Sequence, residues 1–402
     1  MTAVVSLPAR VAHPFSPQGR LDPYPAYDWL RTNAPVHHDT MSRLWLVTGH
    51  ADCSAMLRDP AFSAAAGQRE RAREDDLPVS MLSSDAPDHT RLRAPGQLLL
   101  GPAALDSIAA DLVADTDALV DRLAGLTGAA TGTPVDALEQ IGGPLSTAVF
   151  ARLFGLGEDQ LATFTQLARA VSVNLDPMAP PPVARIGRAA MGELNRFLLA
   201  HLEQAPPCPM TRLAADPRLT RDEMLGVLGL CVVGGWQPLA EAIGNALYWL
   251  LPRPAAWRAL AGADERLALT AMDELLRLEA PIPFTARVTV RDVELPGGRI
   301  PAGSRVLAVV AAANRDPAVF DRPGELVLDR TPNPHLAFGG GPHFCLAARL
   351  VRQAGAVLLT RLAARFPAAS LVDPEPRWGA TLIPRRLTAL PLALAAQDGG
   401  AA

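Results

Sequence analysis

The tightest constraint in this chain is the stretch Phe338-Gly-Gly-Gly-Pro-His-Phe-Cys-Leu-Ala347, in which three consecutive glycines precede a lone cysteine, Cys345. Glycine has no Cβ, so the turn can bring backbone very close to a flat ligand. Downstream, Leu346, Leu350, Ala354, Val357 and Leu358 fall on one helical face, which predicts a helix beginning at the cysteine and ending near Phe366. A thiolate at such a place gains from the positive helix end and from nearby backbone N–H groups. The geometry suits an axial metal thiolate, although the same pattern by itself also fits a buried structural cysteine.

Around this loop the apolar spacing is mostly helical. Residues 25–31, 50–58, 88–126, 136–154, 158–173, 183–204 and 220–251 carry the helix period, while Leu44-Trp-Leu-Val-Thr-Gly49 and the stretch after residue 284 have the branched, alternating content of short strands. The expected class is mainly α with small β-sheets. No Ser/Gly linker, charge block or repeat divides the 402 residues, so residues 1–402 are expected to form a single large domain, with flexibility confined to about the first 20 residues.

Composition excludes several functions. All 37 basic residues are arginine, and against 41 acids they leave a formal charge of -4, which is no footprint for nucleic acid or an anionic membrane. Cys53, Cys208, Cys231 and Cys345 are far apart with no CxxC, so neither a disulfide framework nor a zinc knuckle is expected and a reducing cytoplasm fits. Pro8, Pro14 and Pro17 interrupt any signal-like run near the start. Leu225 to Leu251 is apolar, but Gln237, Pro238, Glu241 and Asn245 interrupt it, which favours a core helix over a membrane span.

The cysteine loop resembles the haem-binding loop of the cytochrome P450 family, with Phe338, Gly339, Gly341, His343, Cys345 and Ala347 matching its pattern. Glu274 and Arg277, 71 and 68 residues before the cysteine, are similar to the family's Glu-x-x-Arg pair, and Arg330 to the arginine that completes its buried cluster. The resemblance implies a haem-enclosing fold, haem b held by Cys345, and propionate partners His89, Arg93, Arg287 and His343. Asn314-Arg-Asp-Pro-Ala-Val-Phe320 and the closing Arg385 to Leu394 also match, so the likeness covers nearly the whole chain.

The oxygen-binding helix departs from the family. Its usual Ala-Gly-x-acid-Thr aligns with Gly234-Gly235-Trp236-Gln237-Pro238, so an amide and a proline stand where the proton-relay acid and alcohol are expected. An amide does not titrate near neutral pH, and proline offers neither hydroxyl nor N–H. Proline also removes the bond to the carbonyl four residues back, which predicts a helix opened at residues 234–238 over the haem. Substrate-assisted proton delivery, peroxide use, and chemistry that never cleaves dioxygen, such as coupling, rearrangement or nitrene transfer, all remain open on these residues.

By resemblance, the pocket roof comes from Ala61 to Leu82 and residues 171–187. The walls come from Val233 to Gln237, from Pro281 to Thr285 and from Ala380 to Ile383, with Leu82, Val233, Trp236, Phe284, Thr285, Leu382 and Ile383 as candidate substrate contacts. A monomeric enzyme acting on a small molecule in specialised biosynthesis is expected, reduced by a ferredoxin and its reductase, with Arg91, Arg349 and Arg352 as docking cations. A P450-like helper without catalysis is the remote alternative, and the intact Cys345 loop argues against it.

Overall fold

Helices dominate the middle of the chain in the order α1 (Asp88–Leu100), α2 (Pro102–Thr127), α3 (Gly143–Phe154), α4 (Glu158–Val171), α5 (Pro181–Leu202), α6 (Arg221–Leu250) and α7 (Glu265–Leu278). After them, α8 (Ala348–Arg365) follows the cysteine loop. The computed structural model describes residues 7–66, 80–127, 134–176, 179–375, 377–379 and 381–394. The parts of the expected pocket roof at 67–79 and 177–178, residue 380 of the expected wall, and the first six residues lie outside that set.

Helix boundaries follow local chemistry. The pattern over 88–126 resolves into two helices because Gly101 turns the chain: a Cβ there would stand 2.4 Å from the Gln97 carbonyl oxygen, and Pro102, which lacks an N–H, opens α2. α6 starts with a capping box. The Thr220 hydroxyl accepts from the Glu223 N–H, and the Glu223 carboxylate accepts from the Thr220 N–H. It ends one residue before the Leu251-Pro252 junction.

Strands β1 (Val36–Asp39), β2 (Leu44–Val47), β3 (Phe62–Ser63), β4 (Thr285–Thr289) and β5 (Arg305–Ala308) form one sheet in the order β1-β2-β5-β4-β3. β2 and β5 run parallel and the other neighbours antiparallel, with Arg287 on β4 opposite Val306 on β5. Three smaller sheets complete the β content of the described residues. Residues 13–21, expected to be flexible, are instead tied down: Phe15 is buried edge-on against Phe284, and the Ser16 hydroxyl caps the short helix Pro17–Leu21.

The core is built on α6. Its most apolar 18-residue window is 78% buried, so its hydropathy is spent against α3, α4, α5 and α7 within the protein. Next to it, residues 138–142 form a single π-helical turn rather than continuing α3. The two backbones nearly touch, because a Cβ on Gly142 would lie 2.6 Å from the Ala240 carbonyl oxygen. Gly142→Ala should therefore push α6 aside and destabilise the fold by about 1–3 kcal/mol. The reading is a lower denaturant midpoint at unchanged slope.

Candidate active site

The loop before α8 folds as its glycines require. Gly339 and Gly341 take positive φ angles of 70° and 63°, and a Cβ on Gly341 would lie 2.2 Å from the Leu57 carbonyl oxygen. The Cys345 N–H donates to the Phe338 carbonyl at 2.9 Å, closing the loop three residues ahead of α8. Burial pushes the Cys345 thiol up, opposed by a hydrogen bond from the Ala347 N–H and by the Arg93 charge. A buried thiol of this kind becomes a thiolate when a metal cation supplies the missing counter-charge.

Two arginines and two histidines from three segments meet beside this cysteine. Arg93 on α1 donates to the Phe344 carbonyl at 2.6 Å, and the rings of His89 and His343 lie 4.1 Å apart. Arg287 is buried in β4, where its guanidinium donates to the Ala286 carbonyl and the Thr285 hydroxyl. Burial together with Arg287, His89 and Arg93 drives His343 down to about 3, and burial lowers His89 and Arg287 as well. The nearby acid is Asp85, which despite its desolvation is held below the usual carboxylate range by Ser63 and the Ala64 and Ala65 N–H groups.

One carboxylate is too little for two arginines, and His89 Nε2 is buried with no hydrogen-bond partner. That imbalance fits a large ligand with two carboxylates. Across from the loop, burial pushes the Cys231 thiol on α6 up, with a smaller contribution from Cys345, whose sulfur this helix passes. One turn further on, a Cβ at Gly234 would meet nothing nearer than Leu230 Cδ1 at 3.8 Å. The residues present therefore fit a flat, metal-bearing dianion lying between the cysteine loop and α6.

Behind the loop is a saturated buried ion cluster. Glu274 on α7 accepts from Arg277 Nε and Nη2 at 2.7 and 2.8 Å, from Arg330 Nε at 2.9 and 3.0 Å, and from the Val327 N–H at 3.0 Å. Arg277 spends its other donors on the carbonyls of Asn314, Pro323 and Glu325.

Residues 267–386 match the family model described as Cytochrome P450. The chain is 35% identical over 380 residues to nocardicin C N-oxygenase of Nocardia uniformis subsp. tsuyamanensis, an alignment covering 90% of this chain and 93% of that one. The chain belongs to the cytochrome P450 family. Cytochrome P450 monooxygenase PikC of Streptomyces venezuelae is 33% identical over 92% of this chain and 91% of its own length. The crystal structure of CalO2 superposes with a TM-score of 0.86 at 27% identity, covering 96% of this chain and all of that one. This P450 is thus an oxidoreductase whose haem is held by a cysteine thiolate, and Cys345 is the one cysteine in the matched residues.

The helix α6 corrects several expectations. α6 runs unbroken from Arg221 to Leu250 through Pro238, so the predicted opening at 234–238 is absent. The hydrogen bond lost at proline costs far less than exposing the flanking buried residues Trp236, Gln237 and Leu239. Trp236 is buried, and its indole N–H donates to the Thr147 hydroxyl on α3. Gly235 serves packing, since a Cβ there would stand 2.7 Å from the Phe150 ring. Gln237 is buried and donates its amide N–H to Glu241 one turn on.

Among the other pocket candidates, Phe284, Leu382 and Ile383 come together in one buried cluster, and the Leu382 N–H is tied to Asp176 at 2.9 Å. Val233 is buried, Thr285 accepts from Arg287, and Leu82 is 49% exposed. The supposed docking cations are not free. Arg91 pairs with Glu223, Arg349 with Asp106 and Arg352 with Asp273.

Sequence reading missed Asp85 and Glu241. The second had a visible signal, a carboxylate in the middle of an otherwise apolar helix. Removing Glu274 would leave two buried guanidinium groups uncompensated. Glu274→Ala should cost about 3–5 kcal/mol and lower the haem content of purified protein, whereas a surface pair such as Arg349–Asp106 should cost under about 1 kcal/mol when broken.

Proposed function

We propose that this P450 carries out a tailoring oxidation on a small molecule in specialised biosynthesis, using haem b ligated by Cys345, with electrons from a ferredoxin and its reductase. The observation that carries the reading is the cluster of His89, Arg93, Arg287 and His343 beside the cysteine, in which Asp85 alone faces two arginines and His89 Nε2 has no partner. The relatives named for N-oxygenation of nocardicin C and for the PikC monooxygenase reaction support the tailoring class.

When bound, haem would supply the redox chemistry, and the Cys345 thiolate that would hold it would enrich it in electron density. The protein's own residues hold and enclose it. Arg93, Arg287, His89 and His343 would pair the two propionates, which restores the balance that the buried cations lack. Gly339 and Gly341 let the loop backbone lie flat, and Phe338 packs beneath it. Gly234 leaves room on the α6 side.

Phe284, Thr285, Val233, Leu382 and Ile383 form the apolar wall available to substrate, with Leu82 at its outer edge. The ties from Leu382 to Asp176 and from Arg287 to Thr285 limit how far that wall can adjust. Lacking both the usual acid and the alcohol, the site relies on a substrate hydroxyl, amine or carboxyl, or another residue of the chain, to place protons. Arg349 and Arg352 reach a ferredoxin only by exchanging Asp106 and Asp273 for partner carboxylates.

Reduced protein under carbon monoxide should show the strongly red-shifted Soret band of thiolate-ligated haem, and Cys345→Ala should lose it. An imidazole-type spectrum in the wild type would overturn the assignment. Restoring the acid and alcohol together, as Gln237→Asp with Pro238→Thr, should raise ferredoxin-driven oxygen consumption about 10- to 100-fold if proton placement limits the reaction. It should leave peroxide-driven turnover unchanged.

A further inference from the structure

Glu241 is buried in the centre of α6, 2% exposed, and is not part of any saturated ion cluster of the kind around Glu274. Its Oε1 accepts the Gln237 amide N–H, while its Oε2 and the Gln237 Oε1 are both buried acceptors with no partner. Two orphaned acceptors on two groups already joined by one hydrogen bond lack one thing, a proton. With a proton on the carboxyl, the pair becomes a neutral acid and amide, and the cost of two unmet acceptors falls.

We propose that Glu241 holds a proton in the resting enzyme and is the proton donor for the 234–238 segment, with Gln237 as the positioning residue that fixes its carboxyl. The inference rests on the haem reading above, which places that segment over the cofactor.

The surroundings suit the role. Besides Gln237 on its own helix, the charged groups facing Glu241 are Arg386 ahead of the C-terminal strands, Arg169 on α4 and Glu139 on the π-turn. Burial outweighs the two arginines and raises the Glu241 carboxyl to about 7, so it carries a proton for a large part of the time at neutral pH. In the transfer, the Glu241 O–H bond breaks and the proton passes to a water or a substrate oxygen or nitrogen beside the Gln237 amide. The carboxylate left behind keeps the Gln237 N–H and gains the field of Arg169 and Arg386. The Arg169–Glu139 pair is half-exposed, which puts bulk water within one side chain of Glu241 for reprotonation.

The sign of the pH effect follows. A carboxyl raised in the folded state stabilises the fold fully below its unfolded value, and that stability is lost as pH rises to about 7. E241Q, which cannot ionise, should melt above wild type near about pH 8 and no higher than wild type near about pH 5.

The deciding measurement is infrared titration of the holoenzyme. A protonated-carboxyl stretch with a midpoint near 7, missing from E241Q and moved upward in Gln237→Leu, is the expected result. A midpoint in the ordinary carboxylate range would overturn the proposal. With a surrogate ferredoxin, its reductase and no added substrate, NADPH consumption should fall as pH rises through about 7 in wild type. In E241Q it should be about a hundredfold lower and flat with pH, with the carbon monoxide spectrum intact. E241D keeping the pH dependence supports the proposal, and E241Q keeping the wild-type rate and profile sinks it. Absence of the red-shifted carbon monoxide band would sink the haem reading and leave the infrared midpoint to judge Glu241 by itself.

Discussion

Everything near the cysteine depends on one buried carboxylate. Glu274 is fully enclosed and accepts from Arg277, Arg330 and the Val327 N–H, while Arg277 reaches the carbonyls of Asn314, Pro323 and Glu325. These contacts pin the long, largely irregular segment 314–333 onto α7 by charge-assisted bonds. The segment then runs directly into the glycine loop, so the position of Cys345 is inherited from it. A buried cluster is weak evidence of net stability, since replacing all its members can be neutral, but a half-removed one is severely penalised. It therefore acts as a constraint on geometry.

The second organising element is α6. Its apolar surface is consumed by the core, and three of its glycines meet different surroundings: Gly235 admits Phe150, Gly244 admits Leu138, and Gly234 has nothing nearer than Leu230 Cδ1. Such division of labour along one helix explains how Pro238 is accommodated. With packing on every side, the missing hydrogen bond is a local loss and the axis stays continuous. The polar groups then collect where packing leaves them, at Gln237 and Glu241, and there the protein carries unmet hydrogen-bonding capacity.

Much of this was legible from residues. The loop glycines, the cysteine, the Glu274–Arg277 spacing and the strand content after residue 284 each depend on short-range rules, namely positive φ, i,i+3 proximity and alternation. The π-turn at 138–142 was not, because it depends on α6 approaching from another part of the chain, where a Cβ on Gly142 would meet the Ala240 carbonyl. What Trp236 touches was not legible either: helical position sets its direction only approximately, and the bond to Thr147 depends on how α3 packs. Arg349 and Arg352 read as free cations because no spacing rule links them to Asp106 and Asp273.

By itself, the sequence determined the class of chemistry: a thiolate loop, a cationic set to balance an anionic ligand, and a helix deprived of its usual acid and alcohol. The thiolate loop and the altered helix are properties of residue types at fixed short separations, whereas the cationic set was carried by resemblance to a known family. Only the tertiary structure decided which charges lack partners. Whether a guanidinium is saturated, as in Arg277, or under-compensated, as in Arg287 beside His343, depends on long-range convergence and desolvation. The same is true of Glu241, an interruption in an apolar run until folding buries it against Gln237 and makes the proton its missing partner.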